Sequence, residues 1–252
     1  MTIHLVIGDA HSKPGVSNAR FNWLGRFVRD IKPDVVIDMG DWEDMPSLSS
    51  YDKGKRSFEG RRYHRDIAAG LDARNRYKAT LGKDQFSKTR HVALGGNHGE
   101  GRIDKVTNLH PELHGTVSLS NIRPVDWEYV PFLNIVKIDG INYSHYFTSG
   151  VMGRPCGGES PGLSLIKKQH ESCVSGHSHV RDFSERTSPS GRKIFGLSAG
   201  CYFEHYEDWA GPANMLWWRG LVVLNYVDGR GYADPAFYSI RNLRKEYYDA
   251  RD

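Results

Sequence analysis

The sequence predicts an α/β fold, and three observations carry that expectation. The first is a strand–helix–strand unit at the N-terminus. Ile3–Ile7 is an apolar run, Phe21, Leu24, Phe27, Val28 and Ile31 follow at helical spacing, and Val35–Ile37 is apolar again. The second is that five short hydrophobic runs each end in Asp, Asn or His. Open α/β sheets bind ligands at the exits of their buried parallel strands. The third is a series of hairpin patterns in the second half of the chain, with turns rich in Asp, Gly and Ser.

Taken in order, residues 1–8 form the first strand, and the Gly8–Gly15 loop carries Asp9 and His11. Asn18 stands where a helix cap is expected. Pro33 stops the helix, and Asp34–Asp38 returns as a parallel strand through a crossover expected to be right-handed. Residues 42–57 read as a polar loop containing Trp42, Tyr51, Lys53, Lys55 and Arg56. A helix is expected from about Phe58 to Leu81, with Tyr63, Ile67, Leu71 and Tyr77 facing inward. Arg61, Arg62, Arg65, Arg74, Arg76 and Lys78 make this segment basic. They form either a solvated face or a positive wall that attracts phosphate or nucleic acid.

The strand 90–94 leads to the loop of Asn97, and Gly101–Leu113 is expected to be a short helix with Pro111 near its end. Ile135–Ile138 and Ile141–Ser144 pair through a tight Asp139-Gly140 turn. Pro161–Glu171 reads as a helix and 173–175 as a strand. Phe183–Thr187 and Lys193–Leu197 flank residues 188–191 as a second hairpin, and Leu221–Val227 with Ala236–Ile240 make a third. The charged tail Arg241–Asp252 is open between a helix and a frayed end. Residues 200–219 concentrate Tyr202, Phe203, His205, Tyr206, Trp209, Trp217 and Trp218 around Gly211 and Pro212. Some of these belong to the core, and others are expected to line a site mouth. No repeat or linker interrupts the chain, so one domain over 1–252 is expected.

A chain of 252 residues is long enough to bury a substantial core. No run approaches the ~20 apolar residues of a membrane span. The first strand starts at Ile3, which leaves no room for a signal peptide, and a cytoplasmic protein is expected. Cys156, Cys173 and Cys201 are odd in number and lack metal-site spacing, so reduced thiols are expected. A net charge of +4 favours an anionic partner.

The five strand-end blocks carry the chemistry. They are Asp9-Ala10-His11, Gly40-Asp41-Trp42-Glu43-Asp44, Gly96-Asn97-His98, His145 after Ile141–Ser144, and Gly176-His177-Ser178-His179. One such block is ordinary turn chemistry, but five in one chain are not. The set reads D-x-H, G-D-x-x-D, G-N-H, a lone His and G-H-x-H, in that order over positions 9–179. It resembles the calcineurin-like metallophosphoesterase superfamily, and the whole chain is also similar to phage-encoded members of it.

The resemblance implies a four-layer sandwich: two mixed β-sheets face to face, flanked by helices. It implies a binuclear-metal-dependent phosphoesterase in which a hydroxide bridging the metals attacks the phosphorus. Asp9, His11, Asp41 and His179 would hold the first metal, and Asp41, Asn97, His145 and His177 the second. A carboxylate has two oxygens, which suits Asp41 to the shared position. Imidazole, carboxylate and amide oxygen together suit two divalent transition-metal ions, manganese first, with iron or zinc as alternatives. Two such cations, set against Asp9, Asp41 and a hydroxide, leave a net charge of about +1 that draws in a phosphate. His98 would act as acid or oxyanion stabiliser, and Asp44 would orient it.

The remaining histidines, His4, His64, His91, His110, His114, His170 and His205, read as ordinary surface or core residues. Of these, His64 and His205 are the ones that could touch substrate. The chain also departs from its relatives. Met45 stands where phosphatases carry a phosphate-clamping Arg, Asp44 where repair nucleases carry His, and Gly99 intervenes before Glu100. The expected substrates are phosphodiesters of nucleotides or nucleic acid. The alternatives are a phosphomonoesterase and a non-catalytic metal-binding scaffold, and the intact ligand set argues against the latter.

Overall fold

In the computed structural model, which describes residues 1–249 and 252, strand–helix crossovers build a first sheet. The elements are β1 (Thr2–Ile7), α1 (Ala19–Ile31), β2 (Val35–Asp38), α2 (Tyr63–Leu81), α3 (Lys83–Lys88), β3 (Arg90–Leu94), α4 (Glu100–Leu109) and β4 (Glu128–Val130). There follow β5 (Val136–Ile138), β6 (Ile141–Ser144), β7 (Thr148–Ser149), β8 (Arg154–Pro155), α5 (Pro161–Gln169) and β9 (Cys173–Ser175). The chain ends with β10 (Arg181–Thr187), β11 (Lys193–Ala199), β12 (Gly220–Val227), β13 (Asp234–Ser239) and α6 (Ile240–Tyr247).

The first sheet has the order β13-β12-β1-β2-β3-β4, with β1 to β4 parallel and β12 antiparallel to β1. The second has the order β10-β11-β9-β6-β5, with β11, β9 and β6 parallel and hairpin strands at both edges. Both sheets are therefore mixed.

Side chains alternate across a strand, and the alternation assigns the layers. Leu5 and Ile7 of β1 and Leu221 and Val223 of β12 pack with Phe21, Leu24, Phe27 and Tyr77 of α1 and α2. Val6, Ile37, Val92, Leu94, Val222 and Leu224 point the other way and meet Ile141, Tyr143, Val174 and Leu197 of the second sheet. On that sheet's outer face, Leu165 of α5 packs with Cys173. The order is helix, sheet, sheet, helix. Each fully buried aliphatic side chain contributes ~1.5–3 kcal/mol. A one-residue slip of β1 would exchange its two buried faces, so its register is strongly fixed.

Several boundaries differ from the sequence expectation, each for a local reason. Gly60, at φ 76°, separates a short 3₁₀ turn at Arg56–Phe58 from α2, so the expected helix starts at Tyr63. The inner face of α2 is Asp66, Gly70, Ala73, Arg74, Tyr77 and Leu81, and Leu71 is exposed. The loop 42–57 is not polar throughout. Trp42 is buried against Phe21 and Tyr77, and Met45 and Leu48 form a small core with Ile103 and Val117. Pro111 pushes His110 out of helical geometry, which ends α4 at Leu109 before a separate 3₁₀ turn at Pro111–Leu113. Asn18 precedes α1 without capping it, because its amide donates to the Ala69 carbonyl and to Asp72 on α2.

The helix expected over Pro161–Glu171 ends at Gln169, where His170 turns left-handed. Ile240 belongs to α6 rather than to the last hairpin, and the Ser239 hydroxyl accepts from Asn242 N at its start. Within the tail, α6 takes residues 240–247; positions 250–251 lie outside the described residues. Asp139 and Gly140 both have positive φ, as the tight turn between β5 and β6 requires.

Candidate metal centre

The C-terminal ends of β1, β2 and β3 in one sheet and β6 and β9 in the other meet at one edge of the sandwich. Asp9 and His11 follow β1, Asp41 follows β2, Asn97 and His98 follow β3, His145 follows β6, and His177 and His179 follow β9. Glycine permits the convergence at two points. A Cβ on Gly96 would overlap the Asp41 carboxylate, and one on Gly176 would overlap Asp9. Ten non-glycine residues have positive φ among those described, and His11, Asp41, His177 and His179 are four of them. Left-handed backbone at such residues costs of order 1–3 kcal/mol each and collects at functional sites.

The structure brings all seven sequence-predicted ligand residues together. Asp9 Oδ2 lies 3.0 Å from His179 Nε2, and Asp9 Oδ1 accepts from the His177 backbone N–H. Asn97 Oδ1 stands between His145 Nε2 at 2.7 Å and His177 Nδ1 at 2.8 Å. Asp41 Oδ1 accepts from the His98 backbone N–H, and Asp41 Oδ2 lies 3.3 Å from His145 Nε2. His11 Nε2 is 3.8 Å from Asp9 and 3.9 Å from Asp41, beyond hydrogen-bond range. His11, at 1% exposure, has no hydrogen-bond partner on either ring nitrogen, and Asp41 Oδ2 has none either. Ligand atoms of Asp9, His11 and His179 lie within 4.8 Å of one another, as do those of Asp9, Asp41 and His145.

Charge shapes the cluster. Burial disfavours ionised Asp9 and Asp41, yet His179 beside Asp9 and His145 beside Asp41 hold both carboxyls below the usual carboxylate range. Burial also opposes the charged His145 ring, but Asp41 outweighs it and raises that ring to about 9. Burial and the neighbouring His145 lower His177 to about 4. The centre therefore mixes ionised carboxylates with imidazoles of different basicity.

His98 stands at the rim. Its Nδ1 lies 2.6 Å from Asp44 Oδ1, and the carboxylate can only accept, so Nδ1 carries the proton. Burial would push Asp44 up, but the bond to His98, with His11 and Arg102 nearby, keeps it strongly ionised.

Sequence reasoning missed three side chains here. Arg102, one turn beyond His98 on α4, donates to the Asp44 and Met45 carbonyls and lies 3.6 Å from Asp44 Oδ1. Lys13 bridges Glu207 and Asp44, the latter at 3.7 Å. Position 102 at i+4 from His98 was a readable signal. The pairing of Lys13 with Glu207 spans 194 positions and was not. Met45 is fully buried and left-handed, so it faces the small core rather than a substrate. Arg74 of α2 is likewise no part of a solvated wall. It bonds Glu43 at 3.2 Å beneath the site and lies over Trp42, near Asp38, which burial pushes up to about 7.

The aromatic stretch divides. Tyr202 is buried, its hydroxyl donating to the Arg20 carbonyl, and Phe203 stacks on His11. Tyr206 and Trp209 are exposed beside the site. His205 stacks on Phe203 and bonds Glu207, and His64 is exposed on α2; neither lines the groove at the site. His4 and His91 are core residues bonded to Tyr143 and Tyr77.

No protein-family model and no curated protein matches the sequence. Among solved structures, the chain is similar to a conserved uncharacterized protein of Streptococcus pneumoniae TIGR4, described as a predicted phosphoesterase. The two are 13% identical over 95% of this chain and 90% of that one, with a TM-score of 0.36. At that similarity the reading of the site stands on its own residues.

Proposed function

We propose that this protein is a metal-dependent phosphoesterase that hydrolyses phosphodiester bonds of nucleotides or nucleic acid. The observation that carries the reading is the set of buried ligand atoms with no partner: both nitrogens of His11 and Oδ2 of Asp41. A buried polar atom left unsatisfied costs ~1–3 kcal/mol, and three at the junction of five strand ends fit a cation. Asp9, His11, Asp41 and His179 would hold one ion, and Asp41, Asn97, His145 and His177 would hold the other. The donor set fits manganese, with iron or zinc as alternatives. When bound, such a pair lowers the pKa of water and offsets charge building on a phosphoryl group.

The other steps belong to the chain. Asp44 holds His98 by its protonated Nδ1, and Nε2 lies 3.4 Å from Arg102 Nη2 beside the groove. A proton carried on His98 Nε2 would pass to the leaving oxygen, or Nε2–H would donate to a phosphoryl oxygen, in place of the contact with Arg102. Lys13 and Arg102 hold Asp44 ionised and in place.

Preference for diesters rests on what is missing. A monoester dianion is best met by a bidentate guanidinium. Position 45 offers none, and Arg102 spends one arm on two carbonyls. The monoesterase reading has one observation in its favour, the two cations within 4 Å of Asp44. The test is kcat/KM for bis-nitrophenyl phosphate against nitrophenyl phosphate with manganese. The diester is expected to be the better substrate, and a strong preference for the monoester would replace this reading with its rival.

A further inference from the structure

A groove of about 840 Å³ opens from His98 and runs between α4 and the segment 206–209, with the loop 46–61 as its floor and rim. This is the size of a small-molecule or cofactor cleft. Its walls differ in chemistry. On the α4 side stand Arg102 and Lys105, three positions apart and so neighbours on one helix face. Lys105 is exposed, donates to the Ser50 hydroxyl at 2.9 Å rather than to a carboxylate, and lies over the Tyr51 ring. The other cations of the groove each lie near a carboxylate, Arg102 with Asp44 at 3.6 Å. Lys55 and Arg61 pair with Asp52, and Lys13 pairs with Glu207. The same groove is lined by Tyr206 and Trp209, each 63% exposed, and by Tyr51, which is 82% exposed. Large rings left in water along one cleft mark a surface made for a ligand with flat faces.

We propose that this groove binds single-stranded nucleic acid on one side of the scissile phosphate. Arg102 and Lys105 take the phosphates that follow along the backbone, and Tyr206 and Trp209 stack the bases. Cations and exposed rings lining one groove suit unpaired strands, because stacking needs base faces free of neighbours. The exposed carboxylate of Asp208, next to Trp209, disfavours backbone phosphates beside the rings, while Glu207 is buried and paired with Lys13. The proposal rests on the phosphoesterase reading for the position of the scissile phosphate, but binding in the groove needs no metal.

The experiment is fluorescence anisotropy of a labelled oligothymidylate, with chelator present, across a salt series. Wild-type protein is expected to bind. Trp209→Ala should raise Kd roughly fivefold to a hundredfold, the range of one base stacked on one ring, and Trp209→Phe should restore most of it. Lys105→Ala should flatten the dependence of log K on log salt by about 0.7, the loss of one single-strand phosphate contact. Both positions are exposed, so the variants keep the fold. An abasic strand, which loses the stacking on both rings, should bind wild-type protein no more tightly than the oligothymidylate binds Trp209→Ala. No binding by the wild type, or wild-type affinity in Trp209→Ala, or equal affinity for the abasic strand, would overturn the proposal. Hydrolysis of bis-nitrophenyl phosphate by the wild type judges the metal reading separately. Its absence with binding intact removes the phosphoesterase and leaves the groove, and the reverse pattern removes the groove alone.

Discussion

His91 and His11 are both buried histidines attached to strands of the first sheet, and their surroundings are opposite. His91 lies in β3, away from the strand exits, stacked on Phe86 at 4.2 Å. Its Nδ1 donates to the Thr89 carbonyl and its Nε2 accepts from the Tyr77 hydroxyl. Every polar atom is satisfied by the neutral ring, and burial lowers its pKa to about 4. His11 lies just past the end of β1, and neither of its nitrogens has a partner. Burial opposes its charged form, but Asp41, Asp44 and Asp9 draw its pKa upward. Folding alone accounts for His91. It leaves His11 beside three carboxylates with no hydrogen bond on either nitrogen, the observation on which the proposed metal centre rests. Polar satisfaction, rather than burial, separates the structural histidine from the one proposed to hold a metal.

The largest effect is expected where the unsatisfied set is broken. Asp41→Asn removes the shared carboxylate charge and should lower turnover of bis-nitrophenyl phosphate by roughly 10³-fold or more, since metal pairs supply several kcal/mol. Turnover near wild type would show that Asp41 is not shared. His98→Ala should cost roughly 10²-fold on the same substrate, at the low end of general acid catalysis because nitrophenolate leaves readily. It should keep its metal, and equal loss of metal and turnover would make His98 a ligand. Asp44→Asn should show a smaller loss of the same kind, read from the same assay.

The satisfied histidine makes the complementary prediction, in stability rather than rate. The pKa of His91 is about 4 folded against 6.5 for a free histidine. The unfolded chain therefore takes up a proton first as the pH falls. The stability held by the neutral ring is complete above 6.5 and is lost as the pH falls toward 4. The gap corresponds to about 3 kcal/mol. Urea melts of chelator-treated protein at pH 7 and pH 4.5 should show most of that loss, and His91→Gln should reduce it. A pH slope unchanged in His91→Gln would place the effect elsewhere.

The same contrast explains how much was legible in the sequence. Parallel strands buried on both faces read as apolar runs, so β1, β2, β3, β6 and β9 stood out, and their exits marked every candidate ligand. The Asp139-Gly140 hairpin was legible because its turn needs two positive φ angles. What was not legible depends on distant contacts. β4 is a three-residue edge strand, and β7 and β8 have two residues each, too short for a period. Arg74 read as part of a solvated face or a positive wall because its partner, Glu43, comes from another loop. Tyr202 read as a candidate for the site mouth, and the Arg20 carbonyl that fixes it inside lies 182 positions away.

The measurement that bears most directly on the contrast is calorimetric titration of chelator-stripped protein with manganese. Wild type and His91→Gln should each take up about two ions, as a two-metal site requires. Asp41→Asn should bind both more weakly. Two ions bound by Asp41→Asn at wild-type affinity, or none bound by the wild type, would contradict the assignment of the unsatisfied cluster as a metal centre.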